Sequence, residues 1–78
     1  MEQQRKLSFG ERAVGLTFNP SGDRNVETIK VAFATCIDVL NDLREHTQDG
    51  EQKRMYSIAI TEAQGAQMWG VKAATWRY

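Results

Sequence analysis

Six apolar side chains, Val26, Ile29, Phe33, Cys36, Leu40 and Leu43, recur at alternating spacings of three and four residues. That alternation is the seam of an α-helix packed lengthwise against another helix. A second seam, Ala59, Ala63, Ala66, Gly70 and Ala73, keeps the same rhythm in small residues. Only Thr47-Gln48-Asp49-Gly50 separates the two, a connection short enough to make the helices antiparallel neighbours. The chain therefore reads as all-α: an antiparallel helical hairpin with a short N-terminal helix, assembling into a homo-oligomeric bundle.

Around this hairpin the remaining segments fall into place. Residues 1–7 are polar and charged and read as a flexible tail. Ser8-Phe9-Gly10-Glu11 matches a capping box, with Ser8 as cap and Glu11 reaching back, and opens a short helix expected over about 8–16. So short a helix is unstable alone and must dock on something. Asn19-Pro20-Ser21-Gly22 is a turn by composition, after which Asp23 or Ser21 caps the first long helix, expected over about 22–47. The second long helix is expected over about 50–75 in a single domain spanning 1–78.

The apolar pattern asks for more than one chain. On the second helix one further line holds Ile58, Gly65, Trp69 and Trp76, and another holds Tyr56, Ile60, Val71 and Tyr78. One partner helix cannot cover all of these, so the excess points to self-association. The small-residue seam reads either as tight packing within the hairpin or as a subunit contact. A glycine in a helix costs roughly 1 kcal/mol against alanine, so Gly65 and Gly70 suggest close approach by a helix or a ligand.

Composition narrows the function classes. With 78 residues the core must be thin, and outside help is expected. Cys36 is the only cysteine and His46 the only histidine, which excludes an internal disulfide and a zinc site. Cys36 sits on the apolar stripe and reads as a reduced core residue. Ten basic and ten acidic side chains cancel, which argues against a DNA or RNA binder but not against a pocket for a small anion. The chain shows no secretory leader and no membrane span, and reads as a cytoplasmic protein without membrane or DNA partners.

Three groups of residues could carry chemistry. Phe18 and Asn19 lie in the turn before the first long helix, and Lys30 lies about two turns along it. Together they could stack on a base, contact its polar edge and hold a phosphate; otherwise they are a hydrophobic plug, an Asn-Pro turn and a solvated lysine. Arg54, Ser57, Thr61, Gln64 and Met68 share one face of the second helix. Arg54 could fork onto a phosphate beside the two hydroxyls, and three chains around an axis would repeat that set; otherwise the line is ordinary helix surface. Glu11, Arg12 and Arg24 flank the turn as capping and rim charges, with Arg12 alternatively reaching a phosphate. Catalytic groups, metal spacing and a phosphate-cradling glycine loop are all missing, so binding is preferred over catalysis and no cofactor is implied.

Gly15-Leu16-Thr17-Phe18-Asn19-Pro20-Ser21-Gly22, Ile29-Lys30, and the run Arg54 to Gly65 resemble a family of small phage proteins, the anti-CBASS and anti-Thoeris sponges. The resemblance spans about residues 10–76 and is closest in the second long helix. It implies a compact helical homo-oligomer, commonly a hexamer, that sequesters cyclic dinucleotides such as cyclic GMP-AMP without cleaving them. Some members also take cyclic trinucleotides in separate pockets. Phe18 resembles the family's base-stacking aromatic, more usually tyrosine, and Lys30 its phosphate-binding lysine. Arg54 and Thr61, with Ser57 beside them, resemble the trinucleotide pocket. The competing reading is a small helical interaction module, an inhibitor or assembly factor with no nucleotide ligand.

Overall fold

The structure is a computed structural model that describes residues 5–77. Residues 1–4 of the expected tail, and Tyr78 of the third apolar line, lie outside the described residues. Three helices follow in order: α1 (Phe9–Ala13), α2 (Arg24–His46) and α3 (Gly50–Ala74). The fold is all-α, an antiparallel hairpin of α2 and α3 with the short α1 laid on α2.

Each helix starts on a side-chain cap. The Ser8 hydroxyl accepts from the Glu11 amide at 3.1 Å, and the Glu11 carboxylate accepts from the Ser8 amide at 2.9 Å, which completes the expected capping box. Arg5 forks onto the same carboxylate at 2.9 Å. That guanidinium first, then the Ser8 amide, holds the Glu11 carboxyl down at about 2, below its ordinary 4.5. Asp23 caps α2 by accepting from Asn25 and Val26, and Asp49 caps α3 by accepting from Glu51 and Gln52.

α1 stops at Ala13, short of the expected 16, because the chain reverses at Gly15, where φ is +63°, a conformation few other residues accept. α2 starts at Arg24 rather than near 22, because Gly22 also has a positive φ and Asp23 is the cap.

The buried line of α2 is Val26, Lys30, Ala34 and Ile37. It lies roughly one residue further round the helix than the seam read from the sequence. The cause is α1. A Cβ on Gly10 would stand 2.1 Å from the Ala34 carbonyl oxygen, so the absence of a side chain lets α1 rest on the backbone of α2. Asp38 fastens it there, accepting from the Ser8 hydroxyl at 2.7 Å and from the Gly10 amide at 2.6 Å. With α1 on one flank of α2 and α3 on the other, the line between them is buried. Cys36, expected in the core, is exposed instead.

Val14, Ala34, Ile37 and Ile60 form the core, with Phe9, Leu16, Phe33 and Leu40 packed around it. Ile37 alone among the large side chains described is fully enclosed. On α3 the small seam divides: Ala59, Ala63 and Gly70 are half-buried, whereas Ala66 and Ala73 are exposed. Gly70 sits on α2, where an added Cβ would meet the Ile29 methyl at 3.3 Å.

Candidate ligand-binding site

The reversal at Gly15 carries the chain along an extended turn over the start of α2. Lys30 organises that turn. Its ammonium donates to the carbonyls of Gly15, at 2.8 Å, and Phe18, at 2.5 Å, and lies 5.6 Å from the Phe18 ring centroid. Although charged, it is only 5% exposed. Two carbonyl dipoles and an aromatic face therefore stand where a carboxylate would otherwise be expected beside a buried cation.

Asn19 closes the same turn: its side-chain nitrogen donates to the Asp23 carbonyl at 2.9 Å, and its carbonyl accepts from the Gly22 amide at 3.0 Å. The amide nitrogen of Asn19 is thus committed to the loop. Phe18 is 71% exposed. It is no hydrophobic plug; it presents an aromatic face to solvent beside a buried cation.

The structure brings Phe18, Asn19 and Lys30 together around one cleft of about 580 Å³. Pro20 and Ser21 extend its loop wall, Val26 adds to the α2 side, and Val71 and Thr75 close it from α3. Its lining is mostly apolar with a few polar groups at the edge, the usual make-up of a small-molecule site. On the other side of Lys30 lies a second cleft of about 450 Å³ between α1 and α3, reached by Arg12, Gly15, Gln64 and Gln67. Lys30 and Val71 wall both clefts. A wider depression of about 730 Å³ on the outer face of α2 is bounded by that helix alone, with no polar groups converging from another element.

Arg54, Ser57 and Thr61 line none of these clefts within one chain. Arg54 is exposed and pairs with Glu51 at 2.5 Å. Ser57 is half-buried and accepts from the Arg44 guanidinium at 2.9 Å. Thr61 is exposed on the outer side of α3. Gln64, read as part of the same line, points inward and donates to the Ala13 carbonyl at 3.3 Å.

Gln67 was not singled out from the sequence, yet it is 5% exposed, as deeply placed as Lys30. A glutamine inside a helix carries no local sign of burial. Only the register of α3, with Ile60 and Gln67 both buried and two helical turns apart, could have shown it.

Among the described residues no cluster of acidic, histidine or cysteine side chains could hold a metal ion, and no helix is long and apolar enough to cross a membrane. No curated protein and no solved structure matches the chain. Residues 11–75, from the end of the α1 capping box to the cap of α3, match the model of the Acb2/Tad1 hairpin domain. With the hairpin, the turn and most of the chain inside that match, the protein belongs to the Acb2/Tad1 hairpin family, the anti-CBASS and anti-Thoeris sponges for cyclic nucleotides.

Proposed function

We propose that this protein is a phage anti-defence factor that binds cyclic oligonucleotide immune signals in the host cytoplasm and withholds them from their effector without cleaving them. The observation that carries this reading is the cleft at Lys30: a buried ammonium with no carboxylate paired to it among the described residues, an exposed aromatic ring above it, and a mostly apolar wall. A cyclic dinucleotide such as cyclic GMP-AMP supplies what is missing. Its phosphate answers the charge of Lys30, its base stacks on Phe18, and the Asn19 turn forms the polar edge.

Sequestration needs affinity and copy number, and nothing else from the chain. Arg54, Ser57 and Thr61 belong to a second site for cyclic trinucleotides, one that single chains do not form. The site arises where copies in a homo-oligomer, a hexamer in this reading, bring their α3 helices together. A phosphate there competes with Glu51 for Arg54.

The test is titration calorimetry of the full chain with cyclic GMP-AMP and cyclic tri-AMP, followed by denaturation and recovery of the ligand. Intact ligand and slow release are expected, since affinity differences reside mostly in dissociation rates. Cleaved product, or heat from neither ligand, overturns the reading. Exposed Trp69 and Trp76 favour a second reading, a partner-binding module with no nucleotide ligand. Capture of a partner that survives Lys30→Ala and Arg54→Ala, from a chain binding neither nucleotide, would establish that reading instead.

A further inference from the structure

One polar side chain in the wall of the second cleft belongs to a nearly buried residue. Gln67 is 5% exposed overall, and its side-chain amide makes no hydrogen bond with the described residues. Among the described residues no fully enclosed side-chain nitrogen or oxygen lacks a partner, so the Gln67 amide is not sealed in the core and opens onto the cleft that Gln67 lines. Water satisfies an amide in such a place in the free protein, and a ligand with complementary groups takes the place of that water.

Its surroundings narrow the class of that ligand. Arg12 and Gln64 reach the same cleft, and Lys30 forms the wall shared with the Phe18 cleft. Gln64 gives one of its two N–H groups to the Ala13 carbonyl, which fixes its orientation. Gln67 is the amide of this cleft with both its nitrogen and its oxygen unengaged among the described residues.

We propose that Gln67 is the residue that selects the base, its amide reading the edge of an adenine seated between α1 and α3. This rests on the sequestration reading and deepens it. An amide presents one acceptor and one donor side by side, and adenine presents the complement, its N6 amine and N7; guanine presents two acceptors, O6 and N7, on that edge. A phosphate near Lys30 places the attached nucleoside within reach of either cleft, because Lys30 borders both. One base then stacks on Phe18, where any base fits, and the other is read by Gln67, where adenine fits.

The full chain is titrated with cyclic di-AMP and cyclic di-GMP as wild type, Gln67→Met and Gln67→Glu, with subunit number and helicity followed in parallel. Wild type should prefer cyclic di-AMP by about tenfold. Gln67→Met keeps the side-chain length and should erase that preference. Gln67→Glu has acceptors only and should turn the preference toward guanine, whose N1 and N2 hydrogens it can take. The ratio is the readout, because a carboxylate near a phosphate weakens both ligands.

A ratio unchanged within twofold in both variants overturns the proposal and leaves sequestration standing. So does a change in subunit number at constant ratio, which would make Gln67 a subunit contact. Should the variants fail to fold, wild type is titrated with a ring in which purine, lacking the N6 amine, replaces adenine. About tenfold weaker binding supports the assignment, and equal binding overturns it. Wild type that binds none of these rings removes both this proposal and the reading beneath it.

Discussion

At Lys30 and Gly10 the consequences of single atoms are largest. The Lys30 ammonium does two things at once: it ties the carbonyls of Gly15 and Phe18, and it faces the cleft beneath the Phe18 ring. A hydrogen bond to a charged group is worth about 1.5–3 kcal/mol. Lys30→Ala should therefore weaken cyclic dinucleotide binding by at least about tenfold in calorimetry, and amide exchange should quicken in the Gly15–Phe18 turn. Lys30→Met fills the same channel and should retain more of the fold than Lys30→Ala while losing the same affinity. Gly10 is constrained by space alone. Its missing Cβ is what lets α1 rest on the Ala34 carbonyl, and a backbone oxygen cannot swing aside. Gly10→Ala should cost about 1–3 kcal/mol, read from the urea midpoint. That Phe18, Asn19 and Lys30 gather at one turn was legible in the sequence, because turn chemistry and helix spacing are local. Gly10, Asp38 and Gln67 were not, because their roles depend on which flank of α2 receives α1 and on the register of α3 that follows.

Helix α1 is too short to persist without the groups that hold it. Asp38 of α2 accepts from the Ser8 hydroxyl and the Gly10 amide, and Glu11 closes the box with Arg5 bound outside it. Asp38→Ala should free α1 while α2 and α3 keep their helicity, seen as a small loss of circular dichroism and faster amide exchange over residues 9–13. Acid acts on the same element through Glu11. Its carboxyl sits at about 2 in the folded chain against an ordinary 4.5, chiefly because Arg5 pairs with it. A lowered carboxyl pKa adds stability that is fully present above the ordinary value and fades as pH falls through the folded one. The docking of α1 should weaken between pH 4.5 and about 2, and Glu11→Gln should flatten that decline. The elements themselves were readable from periodicity and capping signals. The phase of α2 was not, because its apolar stripe is shared by two neighbours rather than one. The buried line runs between them through Val26, Lys30, Ala34 and Ile37, and Cys36 is left outside.

The molecule is flat, 45 × 41 × 12 Å, with a radius of gyration of 14.3 Å. A compact chain of this length would measure about 11–12 Å. So flat a shape leaves much apolar surface in water, and Val31, Val39, Met55, Ile58 and Trp69 lie exposed. Lys72 stands 5.3 Å from the Trp69 ring centroid and 5.8 Å from that of Trp76, grouping the two rings along one edge of α3. In the proposed homo-oligomer these surfaces meet, and a melting temperature that rises with protein concentration would show it. Gly65 gives the sharper measurement. It lies on that edge line, mid-helix, and a Cβ there would meet nothing within 4 Å in the same chain. For an isolated chain, Gly65→Ala should therefore stabilise the helix by about 1 kcal/mol. In an assembly where a second copy approaches α3 at this point, the added methyl obstructs the contact. We expect Gly65→Ala to keep its helicity yet sediment with fewer subunits and lose the concentration dependence of melting. A more stable variant with unchanged subunit number would move the contact off this edge, and with it any pocket that depends on copies meeting there.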